Sequence, residues 1–340
     1  MPHTPCLSAR PAAVAGRFYP DDPQALRSVL AQSLRKAVVS EPDERPVRAL
    51  IAPHAGYVYS GPIAGSAYRL LETRKPRIRR VILIGPSHYV AFAGLAVPDV
   101  EAFDTPLGRV LIDHEAREKV LGAAAVVVSG RPHANEHSLE VHLPFLQFLL
   151  GDFLFLPLLA SAAAATTVAQ VIERAWAGDD MLIIVSSDLS HYLDYASARQ
   201  LDAATGRAIV SRSTALGGTE ACGYVAINGL MALARRRNLE VHQLDLRNSG
   251  DTAGDRARVV GYGAYALYDA DPANRLISNS PWTGLRCAFC RSDLGARTAT
   301  IDIGRGRTAF RNRSRAVCSS AKFAAKSGVL RGCKGTAAHY

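Results

Sequence analysis

Three β-branched apolar runs along the chain each stop at a turn and a histidine. They are ALIAPHAGY (49–57), VILIGPSHY (81–89) and MLIIVSSDLSHY (181–192). Each reads as a buried strand closed by a Pro or Ser turn, with His54, His88 or the pair Asp188/His191 just past its end. Between them the period changes. Asp22 opens a helical pattern to about Lys36, with Leu26, Val29, Leu30 and Leu34 on one side. A strand is predicted over 48–51, then a Gly-rich turn and a helix near 63–71, then a strand over 80–84. Residues 95–111 hold Pro98, Pro106 and Gly108 and predict short strands and turns.

Further on, a helix starts from Asp113, a strand follows over 125–128, and residues 130–135 read as a loop. Helices are predicted at 140–150, 166–175, 196–210 and 226–236, and strands at 153–158, 181–185, 240–247 and 258–268. Strands alternating with helices predict a three-layer α/β domain. It spans residues 11–269, after an irregular start over 1–10, and no internal repeat is found. In open α/β sheets ligands bind beyond the carboxyl ends of the strands. Three strands delivering imidazoles and a carboxylate to one rim would build a metal or acid/base site.

Charge alters the picture only at one end. The chain has 40 Lys+Arg against 30 Asp+Glu, a formal net of +10. Thirteen of the basic and two of the acidic residues lie from Arg275 onwards, so the 27 basic and 28 acidic residues before it leave the body at −1. Nucleic-acid binding by the main domain is therefore not expected. Residues 270–340 are rich in Arg, Ser, Gly and Ala, with little periodicity, and are expected to be a basic extension of low order. Cys287 and Cys290 resemble half a zinc knuckle, but Cys318 and Cys333 stand too far apart to complete it. Only Cys6 and Cys222 remain in the body, so no disulfide framework is expected and a reducing cytosol is the default. The N-terminus lacks a signal-peptide pattern. The most apolar stretch, 143–165, is broken by Pro144, Gln147, Asp152 and Pro157, and so predicts a helix and a buried strand rather than a membrane span.

The candidate chemistry starts from His54 and His88 as imidazole ligands, since two histidines and one further donor with open positions suit a non-heme metal. His191 follows Asp188 by three residues, and a carboxylate beside an imidazole can set its tautomer for general-base work. The alternative is that Asp188 caps a turn. Cys222 lies just before a predicted helix, where a thiol pKa falls and metal binding is favoured; otherwise it is a small buried apolar residue. His133-Ala-Asn-Glu136-His137 matches the H-x-x-E-H string of inverzincin proteases. Pro132 leaves no established helix to carry it, so a protease is not expected. Tyr57, His137 and Glu140 are expected to line the cleft. Gly261-Tyr-Gly263 is no dinucleotide fingerprint, and there is no P-loop.

Eight ordered blocks carry a resemblance. They are PAAVAGRFYP (11–20), APHAGYVYSG (52–61), IGPSHY (84–89), FDTPLG (103–108), EHSLEVHLPFLQ (136–147), SSDLSHY (186–192), ACGY (221–224) and VVGYGAYALY (259–268). Together they resemble the Memo-like family, also called AmmeMemoRadiSam system protein B, related in fold to the class III extradiol ring-cleavage dioxygenases. The resemblance implies a three-layer α/β/α domain with a central mixed sheet. It implies metal ligation by His54, His88 and Cys222, with the cysteine standing where the dioxygenases carry a glutamate, and His191 as base with Asp188 beside it. Thiolate in place of carboxylate softens the site toward iron or copper, with zinc as a further candidate. The function expected is a cytoplasmic, oxidoreductase-like metal-binding protein acting on an unknown small molecule or peptide. The alternative is a non-catalytic binding module using the same cleft, and a true extradiol dioxygenase ranks third. Proteins with an AMMECR1-type domain and radical SAM proteins are implied partners.

Overall fold

The computed structural model describes residues 8–38, 45–72 and 77–270. Apart from Ala270, the expected extension over 270–340, with its four cysteines, lies outside the described residues, as does Cys6. In chain order the first elements are β1 (Ala9–Arg10), α1 (Pro23–Arg35), β2 (Val47–Ala52), α2 (Tyr57–Tyr68), β3 (Arg80–Pro86), β4 (Leu95–Val97), β5 (Ala102–Thr105) and β6 (Gly108–Ile112). Next come α3 (His114–Leu121), β7 (Val126–Val128), α4 (Gly130–His133), α5 (Leu143–Leu150), β8 (Leu154–Ala160), α6 (Ala165–Ala175) and β9 (Met181–Ser186). The chain continues with β10 (His191–Leu193), α7 (Tyr195–Val210), α8 (Tyr224–Arg237), β11 (Leu239–Asn248) and β12 (Val259–Asp269).

Capping explains where several helices start. The side chains of Asp22, Asp113 and Asp194 accept hydrogen bonds from the first-turn amides of α1, α3 and α7. Strand alternation explains the layers. On β3, Val81 and Leu83 join one apolar core while Ile82 and Ile84 join the other. On β9, Leu182 and Ile184 face the first core, and Ile183 and Val185 the second. Helices α1, α2 and α5 supply the first core; α3, α6 and α8 supply the second. A sheet apolar on both faces must be covered on both, which yields a three-layer α/β/α protein.

The sheet runs β1-β5-β6-β8-β3-β9-β2-β12-β10, with β11 also on β12, β4 on β8 and β7 on β4. Its centre, β8-β3-β9-β2, is parallel, and β12 closes antiparallel against β2. The sheet is therefore mixed. Strand β9 lies between β3 and β2, with Ile84 opposite Val185 and Ala52 opposite Ser186. The loops carrying His54, His88 and Asp188 thus leave three adjacent strands at nearly one level.

Some elements depart from the sequence pattern. Helix α2 starts at Tyr57, whose amide donates to Phe18 O at 2.8 Å, and it carries Pro62 inside. Val58, whose carbonyl loses its partner to that proline, is exposed, so water can replace the bond. The predicted loop at 130–135 contains the short α4, and the helix at 140–150 divides into a 3-10 turn (Glu140–His142) followed by α5. Strands β1 and β10, two and three residues long, carry too little pattern to be foreseen. The apolar stretch 143–165 resolves into α5 and β8, and among the described residues no helix is long and apolar enough to cross a membrane.

Helix α2 lies close against α1 because Gly65 has no side chain. A Cβ there would stand 2.6 Å from Ser33 O. Gly65→Ala should therefore push the two helices apart and lower stability by about 1–3 kcal/mol. Urea unfolding followed by circular dichroism measures it, and an unchanged midpoint would show that the contact yields freely.

Candidate metal centre

His54 follows β2 through Pro53 and is buried. Its amide donates to Asp188 Oδ1 at 2.8 Å, and its Nδ1 lies 2.6 Å from Ser186 Oγ. Ser186 has one hydroxyl hydrogen, which it gives to Ser138 O at 2.6 Å. Nδ1 of His54 must then be the donor, leaving Nε2 with a bare lone pair. That nitrogen lies 3.4 Å from Cys222 Sγ.

His88 is set the same way by different chemistry. Glu136 Oε2 accepts the His88 amide at 2.6 Å, and Glu136 Oε1 accepts Nδ1–H at 2.9 Å. A carboxylate only accepts, so Nε2 of His88 is again the bare nitrogen. Burial works against a charge on His88, but the bond to Glu136 and that residue's charge outweigh it and raise the pKa. Burial likewise opposes ionisation of Glu136, yet His88 and the surrounding amides hold its carboxyl below the usual range. The donor atoms of His54, His88 and Cys222 all lie within 4.8 Å of one another. Carboxylate- or hydroxyl-backed imidazoles with free Nε2 atoms are what metal-ligating histidines require.

Cys222 sits one residue before the Gly223 N-cap of α8, and its sulfur accepts the Asp188 amide at 3.3 Å. The expected lowering of its pKa by the helix end is not what the structure gives. Burial, with the Asp188 carboxylate adding to it, pushes the thiol up to about 12. Desolvation of the anion outweighs the helix amides.

Around this trio stand further imidazoles. The His137 ring stacks on His88 with centroids 4.8 Å apart and a 14° interplanar angle, and lies 5.4 Å from His54. Phe18 covers its other flank at 4.7 Å. Burial lowers the His137 pKa to about 4. His191 opens β10 at the half-exposed rim, and both His54 and Asp188 feel its charge. The expected bond from Asp188 to the His191 ring is not formed. Asp188 instead holds the loop after β2 through the His54 amide, 134 residues away in the chain, and burial raises its pKa to about 6. Exposed tyrosines follow the same loops: Tyr59 near the start of α2, Tyr89 within 6.1 Å of His137, and Tyr192, with φ of 60°, 5.8 Å from His191.

Two expected cleft residues lie elsewhere. Tyr57 packs between Tyr19 and Phe145 and donates to Val141 O at 2.5 Å, inside the core. Glu140 is fully buried. It takes Arg10 Nη1 at 2.7 Å, the amides of Ala13 and Val14, and the Tyr19 hydroxyl, and so clasps the N-terminal segment. The H-x-x-E-H string is split as expected. His133 ends α4, its Nε2 lies 3.1 Å from Ala96 O, and Glu136 and His137 stand on the turn beyond. Glu136, which fixes the His88 ring, was not singled out from the sequence. Its signal was present, in an acid directly before His137 and outside any helix.

A mixed three-layer α/β protein with two histidines and a cysteine gathered beyond adjacent strand ends is the class that fold and site define. The family described as Memo-like protein matches residues 10–266, and this chain belongs to that family. A MEMO1 family protein of Methanothermobacter thermautotrophicus is 34% identical over 282 residues, covering 74% of this chain and 98% of the relative. One from Aquifex aeolicus is 33% identical over 276 residues (75% and 98%), and one from Ignicoccus hospitalis 36% identical over 282 residues (76% and 98%).

The Arg10–Glu140 pair generates a stability test. Arg10→Met would strand a buried carboxylate and should cost roughly 3–5 kcal/mol in urea unfolding. A cost below about 1 kcal/mol would mean that the three other contacts of Glu140 suffice without the charge.

Proposed function

We propose that the chain is a cytosolic metal-binding protein with oxidoreductase-like chemistry, holding one ion through His54 Nε2, His88 Nε2 and Cys222 Sγ. The observation that carries this reading is the committed tautomer of both histidines, with bare nitrogens on the side of the sulfur. The residues fit an ion chemically as well. Imidazole and thiolate together suit iron, copper or zinc and not a hard cation such as magnesium. Burial pushes the Cys222 thiol up, and a bound cation would supply the positive charge that favours its thiolate. Three protein donors leave positions open for a ligand, and iron or copper there would supply redox and Lewis-acid chemistry.

The protein's own contribution is the surrounding shell. Glu136 and Ser186 keep the ligand rings from rotating. Asp188 anchors the loops after β2 and β9 to each other. His191, half-exposed at the rim and near both Asp188 and His54, is the group placed to take a proton from an incoming molecule or return it. Phe18 and the exposed tyrosines of the rim offer a small substrate an apolar approach.

Protein purified without added metal should hold close to one ion per chain by elemental analysis, and His54→Ala should hold none. Normal metal content in that variant would end the proposal. Glu136→Gln should keep the fold but weaken metal affinity about 10–100-fold. Competition with a chromophoric chelator reads this, and an unchanged affinity would deny Glu136 its orienting part.

A further inference from the structure

Beside Phe18 lies a cavity of about 450 Å³ that the proposed function does not use. Its walls come from three places: the turn over 16–21, the side and end of α1 over 29–36, and the start of α2 over 57–62. Ligand pockets run from about 300 to 1,000 Å³, so the space suits a small molecule. Much of the wall is apolar, built from Phe18, Tyr19, Val29, Tyr57 and Pro62. Both tyrosines direct their hydroxyls elsewhere. Tyr19 donates to Glu140 Oε1 at 2.6 Å and Tyr57 to Val141 O, so each offers the cavity its ring.

The charges on the wall do not balance. Arg17, Lys36 and Asp21 line the cavity and are exposed. Among the described residues none of the three has a hydrogen bond or ion pair through its side chain. Two cations against one acid leave one positive charge unanswered. A plain hydrocarbon would leave the cations without a partner, and an inorganic anion would leave the rings bare. A cationic ligand would meet the wrong net charge. An apolar body carrying a single carboxylate meets both conditions.

We propose that this cavity is a second ligand site, which takes an amphipathic organic monocarboxylate. The apolar part of the ligand lies against Phe18, Val29 and the tyrosine rings, and its carboxylate meets Arg17 and Lys36. Phe18 belongs to both places, since its ring also stands 4.7 Å from that of His137. An occupant of the cavity therefore touches the side chain that flanks the candidate metal centre. Binding itself requires no ion and rests on the cavity alone.

Isothermal titration calorimetry on the full chain, stripped of metal with a chelator and dialysed, tests the site. Hydrocinnamate should bind, and about threefold or more tighter than its neutral amide, hydrocinnamamide. With Arg17→Gln and Lys36→Gln together the preference should vanish. Gln32→Glu, which sets a carboxylate in the same wall, should weaken the acid and spare the amide. No saturation by hydrocinnamate at millimolar concentration, a smaller preference than that, or one that survives the double variant overturns the proposal. Should the double variant fail to fold, Gln32→Glu decides, and unchanged binding of the acid there overturns it. Carboxylates also bind metal ions, so His54→Ala should take hydrocinnamate as wild type does. Loss of binding in that variant would move the ligand to the candidate metal centre and overturn the cavity as its site.

Discussion

Parallel pairing of β9 between β2 and β3 is the constraint on which the candidate site depends. Backbone hydrogen bonds fix Ile84 opposite Val185 and Ala52 opposite Ser186. A slip of one residue in either pairing would turn apolar side chains from one core into the other. The two apolar faces of the sheet therefore hold the register, and the register brings three loops to one level. His54, His88 and Asp188 have no need to find one another through their own side chains. The geometry of the candidate site is a by-product of core packing.

Once the loops are together, hydrogen bonds decide which nitrogen faces the site. Ser186 has a single proton and Ser138 O takes it, so His54 has no choice of tautomer. Glu136 denies His88 the same choice by being an acceptor twice over. Ser186 ends β9, while Glu136 and Ser138 come from the segment after α4, far from either histidine in the chain. That segment is in turn held by Arg10, which donates to His133 O, Glu136 O and Glu140 at once. The N-terminal stretch thus reaches the site by way of a buried ion pair and of Phe18 against His137.

Strand-end histidines were legible in the sequence because a buried strand, its closing turn and the residue after it are all local signals. Helix starts at Asp22 and Asp113 were legible for the same reason. What was hidden depends on distance in the chain. Glu136 reads as part of a protease-like string until β3 brings His88 beside it. Glu140 and Tyr57 are polar-edged residues near a site motif, and nothing local says that one turns toward Arg10 and the other toward Phe145. Asp188 illustrates a subtler limit. Its spacing from His191 suggested a pair, but the tertiary fold offered the His54 amide first.

The burial of Cys222 has a consequence for how the protein ages. Sulfur reacts with peroxides and electrophiles chiefly as the thiolate, and here that form is suppressed by the same desolvation that raises the pKa. A chain newly made in the cell would carry an inert sulfur among its histidines. Were the proposed cation to bind there, it would turn the sulfur into a thiolate and bring that reactivity with it.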